Sequence, residues 1–202
     1  MSPTPSQVTL ALVLYLILFA TLHSFLASLW FKRLTRRVLG PKVDRGYRLS
    51  YNLFATLSIA PLLYGLYIFP GETLYVVPSP WRWLLIAGQL LASLGFIKTF
   101  LVTDPLQFLG IKPQKKEALV VTGFYCRVRN PLFLFALMFL WLTPFMTTNL
   151  FALYLIATIY FYLGAIHEER RLVAEFGDAY REYQRQVPMI IPRLRCHTKS
   201  LP

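Results

Sequence analysis

Long apolar runs, each closed by a basic or proline-rich segment, set the pattern of this chain. The first runs from Val8 to about Trp30 and is followed by Phe31–Arg48, which carries Lys32, Arg33, Arg36, Arg37, Lys42, Arg45 and Arg48 against Asp44 alone. A second run, Leu49–Phe69, is stopped by Pro70-Gly71, and a third extends from Trp83 to about Leu101. After a polar, turn-rich stretch comes Leu132–Ile166, which holds no Asp, Glu, Lys, Arg or His. That run is too long for one bilayer crossing and about right for two if the chain reverses near Pro144, Thr147, Thr148 and Asn149. The pattern predicts an all-α integral membrane protein of about five transmembrane helices, forming a single membrane domain over residues 1–202. Beyond the last run, Leu172, Val173, Phe176, Tyr180 and Tyr183 share one face at helical spacing, which predicts a C-terminal amphipathic helix over Glu168–Gln186 with a weak point at Gly177.

Composition agrees with this reading. The chain is 56% hydrophobic and only 15% charged, against about 45–50% apolar residues in a soluble protein. Residues Met1–Gln7 lack the basic start of a signal peptide, so the first run is expected to be a retained span. Its His23, beside Ser24, is a polar group that hydrocarbon will not solvate, which makes it either functional or hydrogen-bonded to a neighbouring helix. Small residues at Gly88, Ala92 and Gly95 suit close helix packing in the third span.

The formal net charge of +12 raises the question of nucleic acid, but the basic residues flank apolar spans and show no groove-reading spacing. Anionic lipid headgroups are the partner they fit, and no nucleic-acid partner is expected. Of 21 Lys and Arg, 7 lie in the first loop, 6 between Lys98 and Arg129, and 7 after His167, leaving Arg82 for the other side. The positive-inside rule then predicts a multi-pass membrane protein with its N-terminus outside and its C-terminus cytosolic. Cys126 and Cys196 form neither a disulfide scaffold nor a metal cluster, no metal site is expected, and on the cytosolic face both would stay reduced.

The two ends of the last apolar hairpin bring polar chemistry together. Gly123, Phe124, Tyr125, Arg129, Asn130 and Pro131 precede it, while Glu168 and Glu169 follow it, with Tyr180 and Tyr183 further on. Adjacent Glu168 and Glu169 point to different faces of a helix, so one can enter a site while the other pairs outward with Arg171 or a loop lysine. Asn130-Pro131 also reads as a helix start, with Asn as cap and Pro at the first turn.

The stretch Gly123-Phe-Tyr-Cys-Arg-Val-Arg-Asn-Pro-Leu-Phe133, then Glu168-Glu-Arg-Arg-Leu-Val-Ala-Glu-Phe-Gly-Asp-Ala-Tyr-Arg-Glu-Tyr183 and Val187-Pro-Met-Ile-Ile-Pro192, resembles the isoprenylcysteine carboxyl methyltransferase family. That superfamily of small membrane methyltransferases also includes phospholipid methyltransferases. Nearer the start, Leu22-His-Ser-Phe-Leu-Ala-Ser28 and Tyr47-Arg-Leu-Ser-Tyr-Asn52 resemble its bacterial branch, which holds methanethiol S-methyltransferases and proteins of nitrite and nitric oxide reductase regulation.

The resemblance implies S-adenosylmethionine as cofactor, bound near the cytosolic face by a core over residues 123–192, and a bacterial inner membrane as the location. The family pattern usually reads Arg-His-Pro, so Asn130 stands where a histidine is usual, and it can exchange hydrogen bonds but not act as an acid or base. The cofactor needs a carboxylate for its ammonium, a cation for its carboxylate and flat apolar walls for its adenine. Gly123, Phe124, Tyr125, Arg129, Asn130, Pro131, Glu168, Glu169, Tyr180 and Tyr183 are the candidate cofactor-binding residues, and Arg129, Asn130 and Glu169 the candidate catalytic ones. The implied acceptor is small or lipophilic, entering from the bilayer: a thiol, a prenylcysteine carboxylate or a lipid headgroup. A noncatalytic membrane protein that keeps such a pocket for regulation is the alternative.

Overall fold

The computed structural model describes residues 4–40, 43–109, 111–112 and 119–196, so Lys42, Lys115, Lys116 and Lys199 of the basic segments lie outside the described residues. It is an all-α membrane protein in two compact units: residues 1–77, 103–115 and 145–156 make one, and residues 78–102, 116–144 and 157–202 the other.

The first unit opens with α1 (Pro5–Ala27), started by a capping box in which Thr4 accepts from the Gln7 amide and Gln7 reaches back to Thr4. The expected span to Trp30 is cut short at Ser28. This residue turns extended, and its hydroxyl accepts from the Phe31 amide to begin a separate helix, α2 (Leu29–Leu39). α3 (Val43–Ile68) packs on α1 through Leu12 and Leu62, joined by Leu153. Tyr15 donates to the Ser58 carbonyl at 2.7 Å, and the Tyr51 hydroxyl lies 2.7 Å from His23 Nε2. The imidazole of His23 thus has the neighbouring-helix partner that one of its two readings required.

A two-stranded ribbon that the apolar pattern did not reveal pairs β1 (Thr73–Val76) with β2 (Phe145–Thr147) antiparallel. Asn149 ties the same end together. Its amide donates to the Phe69 carbonyl at 2.8 Å and its carbonyl accepts from Thr9 at 2.6 Å. The unit also contains the one-turn helix α5 (Pro105–Phe108), where the Gln107 carbonyl accepts from Arg48.

In the second unit, α4 (Trp81–Val102) lies against α6 (Pro131–Trp141). The small residues of α4 make this approach possible. A Cβ built on Gly95 would meet the Phe135 ring at 2.4 Å, and one on Gly88 would meet Leu142 at 2.9 Å. α7 (Thr148–Phe176) begins in the first unit and continues here for most of its 29 residues. At Gly177, whose φ of 58° is open to glycine at little cost, the chain breaks before α8 (Asp178–Gln186). The amphipathic segment expected as one helix is therefore the end of α7 plus α8.

Among the described residues four helices are long and apolar enough to cross a membrane: α1, α3, α4 and α7. The fifth expected span is α6, whose 11 residues reach only about 16 Å, roughly half the hydrocarbon core. Proline sets that length. Pro131 opens the helix, and Pro144 disfavours helical geometry at Thr143, so no more than a few further residues could join it.

Candidate functional site

The polar cluster of the second unit starts from a turn. Gly123–Cys126 forms a single 3-10 turn entered at Gly123, where a φ of 65° calls for glycine. The chain then passes a turn at Arg127 and a bend at Arg129 to reach Asn130 beside the segment after α8. The Arg129 amide donates to the Pro188 carbonyl (2.9 Å), Asn130 to Met189 (3.1 Å), and Arg193 to Arg127 (3.0 Å). Two stretches some sixty residues apart in sequence are thereby held side by side.

Across this seam Arg129 and Glu169 form a two-pronged ion pair, Nε to Oε1 at 2.7 Å and Nη2 to Oε2 at 2.9 Å. Nη1 of Arg129 donates to the carbonyls of Gln184 and Val187, at the end of α8 where helix carbonyls lack partners. Glu169, only 7% exposed, also accepts from Asn130 Nδ2 at 3.1 Å and from Gln184 Nε2 at 2.9 Å. Each of its oxygens therefore has two donors, which fills a carboxylate.

Tyr180 and Tyr183 stand beside the pair, each 1% exposed and edge-on to the other at 5.6 Å. They pack with Leu119, Val121, Leu172, Val173, Phe176 and Val187. The Tyr183 hydroxyl donates to the Tyr125 carbonyl at 2.6 Å, which fixes the 3-10 turn onto α8. Burial pushes both phenols well above the ordinary tyrosine value. The charge of Glu169 adds to this at Tyr180, where the neighbouring Arg129 pulls the other way.

The candidate residues therefore divide. Arg129, Asn130 and Glu169 meet directly; Tyr180 and Tyr183 line the same cluster, and Tyr125 joins it through its backbone. Gly123 shapes the turn and Pro131 is buried at the start of α6, while the Phe124 ring packs edge-on to Phe135 at 4.8 Å. Glu168 points outward and pairs with Arg171. Asn130 makes no side-chain cap on α6, because its amide is turned to Glu169.

Two features went unread in the sequence. Gln184 follows Tyr180 by four residues and so shares its face of α8, a signal available from spacing alone. Cys126 and Cys196, expected to stay apart as thiols, are joined in a disulfide with a Cα–Cα distance of 5.1 Å. Their approach follows from the pairing of the tail with Arg127, which a count of two cysteines 70 residues apart does not disclose.

The chain is 32% identical over 194 residues to a methanethiol S-methyltransferase of Pseudomonas sp. (strain GM41(2012)), covering 91% of this chain and 72% of the relative. It is 30% identical over 210 residues to methanethiol S-methyltransferase 2 of Bradyrhizobium diazoefficiens, covering 96% and 77%. Over 206 residues it is 29% identical to a methanethiol S-methyltransferase of Mycobacterium tuberculosis, covering 98% and 83%. No family model matches the chain, and no solved structure matches it.

Proposed function

This chain belongs to the family of the methanethiol S-methyltransferases, and from that premise we propose that it transfers a methyl group from S-adenosylmethionine to a small thiol. The observation that carries the proposal is the extent of the likeness: relatives matched over 91% and 96% of this chain bear the same activity in their names.

The cluster in the second unit has the chemical types that the cofactor requires: a carboxylate, a guanidinium, amides and buried aromatic rings. S-adenosylmethionine, when bound, supplies a methyl group on an already activated sulfonium. The protein's share of the work is then alignment and exclusion of water. Arg129 is the cation for the cofactor's carboxylate, and Glu169 the anion for its ammonium. Since Glu169 is already filled by donors, one of its two neutral partners, Asn130 or Gln184, would have to give way for the ammonium, while the Arg129 contact would stay. Tyr180 and Tyr183, with Phe124 and Tyr125 on the turn, supply the apolar wall. The acceptor thiol would react as its thiolate, with its proton released to water, so the chain need supply no strong base.

The complete filling of Glu169 also favours a second reading, in which the cluster is only a strut and the protein is noncatalytic. One experiment separates them: purified protein in detergent is given methyl-labelled S-adenosylmethionine with methanethiol, a farnesylated cysteine or phosphatidylethanolamine. The expected result is label in volatile dimethyl sulfide. Label only in the lipid or the prenylated cysteine overturns the thiol acceptor, and absence of cofactor binding at millimolar concentration overturns the enzyme.

A further inference from the structure

We propose that the outer face of α2 is a binding site for an anionic phospholipid, whose phosphodiester is held between Arg33 and Arg37 while its acyl chains run along Trp30 and Leu34. These four residues line one shallow groove. They sit at positions i, i+3, i+4 and i+7 of the helix, so they form a single stripe with its cations along one edge and its apolar groups along the other. A second groove, lined by Leu29, Lys32, Arg33 and Arg36, adjoins it and shares Arg33.

The inner face of α2 is anchored. Phe31 packs on Phe25 and Tyr47, and the Lys32 ammonium lies over the Tyr47 ring. The outer face keeps large apolar groups exposed, with Trp30 at 57% and Leu34 at 39%. It carries basic residues and no acid: α2 has none, and the nearest in the sequence is Asp44.

Charge complementarity therefore selects an anion, and the apolar edge selects one that carries hydrocarbon. Position selects the membrane. α2 follows the 23-residue apolar helix α1 after the single extended residue Ser28, so it leaves the bilayer where headgroups lie. A forked guanidinium suits a phosphate oxygen pair better than an ammonium does, and two forks one turn apart can grip the same phosphodiester. Tryptophan at the headgroup level is the usual interfacial anchor.

The test uses the full chain. Native mass spectrometry after exchange into micelles doped equally with phosphatidylglycerol and phosphatidylcholine is expected to show phosphatidylglycerol retained at least tenfold over phosphatidylcholine, with the preference falling as salt rises. Equal retention of the two lipids overturns the site without any substitution. In R33Q/R37Q the retained phosphatidylglycerol is expected to drop about tenfold, whereas R181Q/R185Q, which removes the same charge from α8, leaves it unchanged. An undiminished adduct on R33Q/R37Q, or the same loss in both variants, overturns the proposal.

Discussion

Replacing Glu169 by alanine should destabilise the fold before it affects any ligand. The Arg129 and Glu169 side chains are only 11% and 9% exposed, so the charge left behind is not rescued by water. Removing one partner of a buried ion pair costs about 3–5 kcal/mol. Part of that cost is the loss of acceptor for the Asn130 and Gln184 amides, each worth about 1 kcal/mol. A double variant, R129M/E169L, removes both charges together but leaves those two amides and the Gln184 and Val187 carbonyls that Arg129 served without partners, so at about 1 kcal/mol each it should lose about 4 kcal/mol, less than the two single changes summed. The assay is reversible unfolding in mixed micelles with increasing anionic detergent, followed by circular dichroism, with calorimetric titration of S-adenosylhomocysteine on the folded fraction. The sequence assigns Arg129 and Glu169 to the ligand; the pairing of the two side chains adds a structural role. If E169A unfolds within 1 kcal/mol of the parent, or if the two single losses simply add in the double variant, the strut is not what the geometry describes.

Gly95→Ala should lower the stability of the second unit by about 1–3 kcal/mol, because the added methyl meets the Phe135 ring at 2.4 Å, and F135L in the same chain should recover part of it on the unfolding curve. Both buried phenols resist ionisation when folded, so the unfolded chain gives up protons first as pH climbs past the ordinary tyrosine value of 10.0. Stability should accordingly hold below that pH and fall above it, and Y180F should flatten the fall in an alkaline unfolding series; an unchanged slope would contradict the burial. Intact protein should take up no maleimide until reduced and then two per chain, read by mass, since Cys126 and Cys196 are paired; labelling without reductant would refute the disulfide.

The membrane fold was legible because hydrocarbon imposes it. A helix facing lipid must be apolar over its length, and α1, α3, α4 and α7 announce themselves by that rule alone. The small residues of α4 were legible for a related reason, since Gly88 and Gly95 have no packing role except to let another helix come close. The superfamily likewise showed in the motifs on either side of the last hairpin, and its thiol-methylating branch in residues 22–28 and 47–52. What the pattern hid was decided by single residues. Ser28 ends α1 three residues early because its hydroxyl caps the next helix, and two prolines limit α6 to half a crossing. The β1–β2 ribbon is four residues against three, too short for alternation to stand out from apolar neighbours. Sequence also cannot tell whether a carboxylate's partners come from the ligand or from the protein, and for Glu169 they come from the protein.

The order and spacing of the motifs in the last eighty residues then have a physical account. Arg129 and Asn130 are held through their backbone amides by Pro188 and Met189, and through their side chains by Glu169 and Gln184. The Arg-Asn-Pro turn, the Glu-Glu pair within α7 and the Pro-Met-Ile-Ile-Pro tail are thus three parts of one knot rather than three separate signals. The hairpin between them, α6 and α7, has to return the chain to the level it left, and the acid must fall on the face of α7 that looks toward the turn. Glu169 does so and Glu168 does not. An exchange of their positions' chemistry, E168Q against E169Q, therefore reads the knot directly: the first variant should melt with the parent, because its partner Arg171 is exposed and such pairs contribute about 0–1 kcal/mol, and the second should not, because an amide in that position turns a donor toward the donors of Arg129, Asn130 and Gln184.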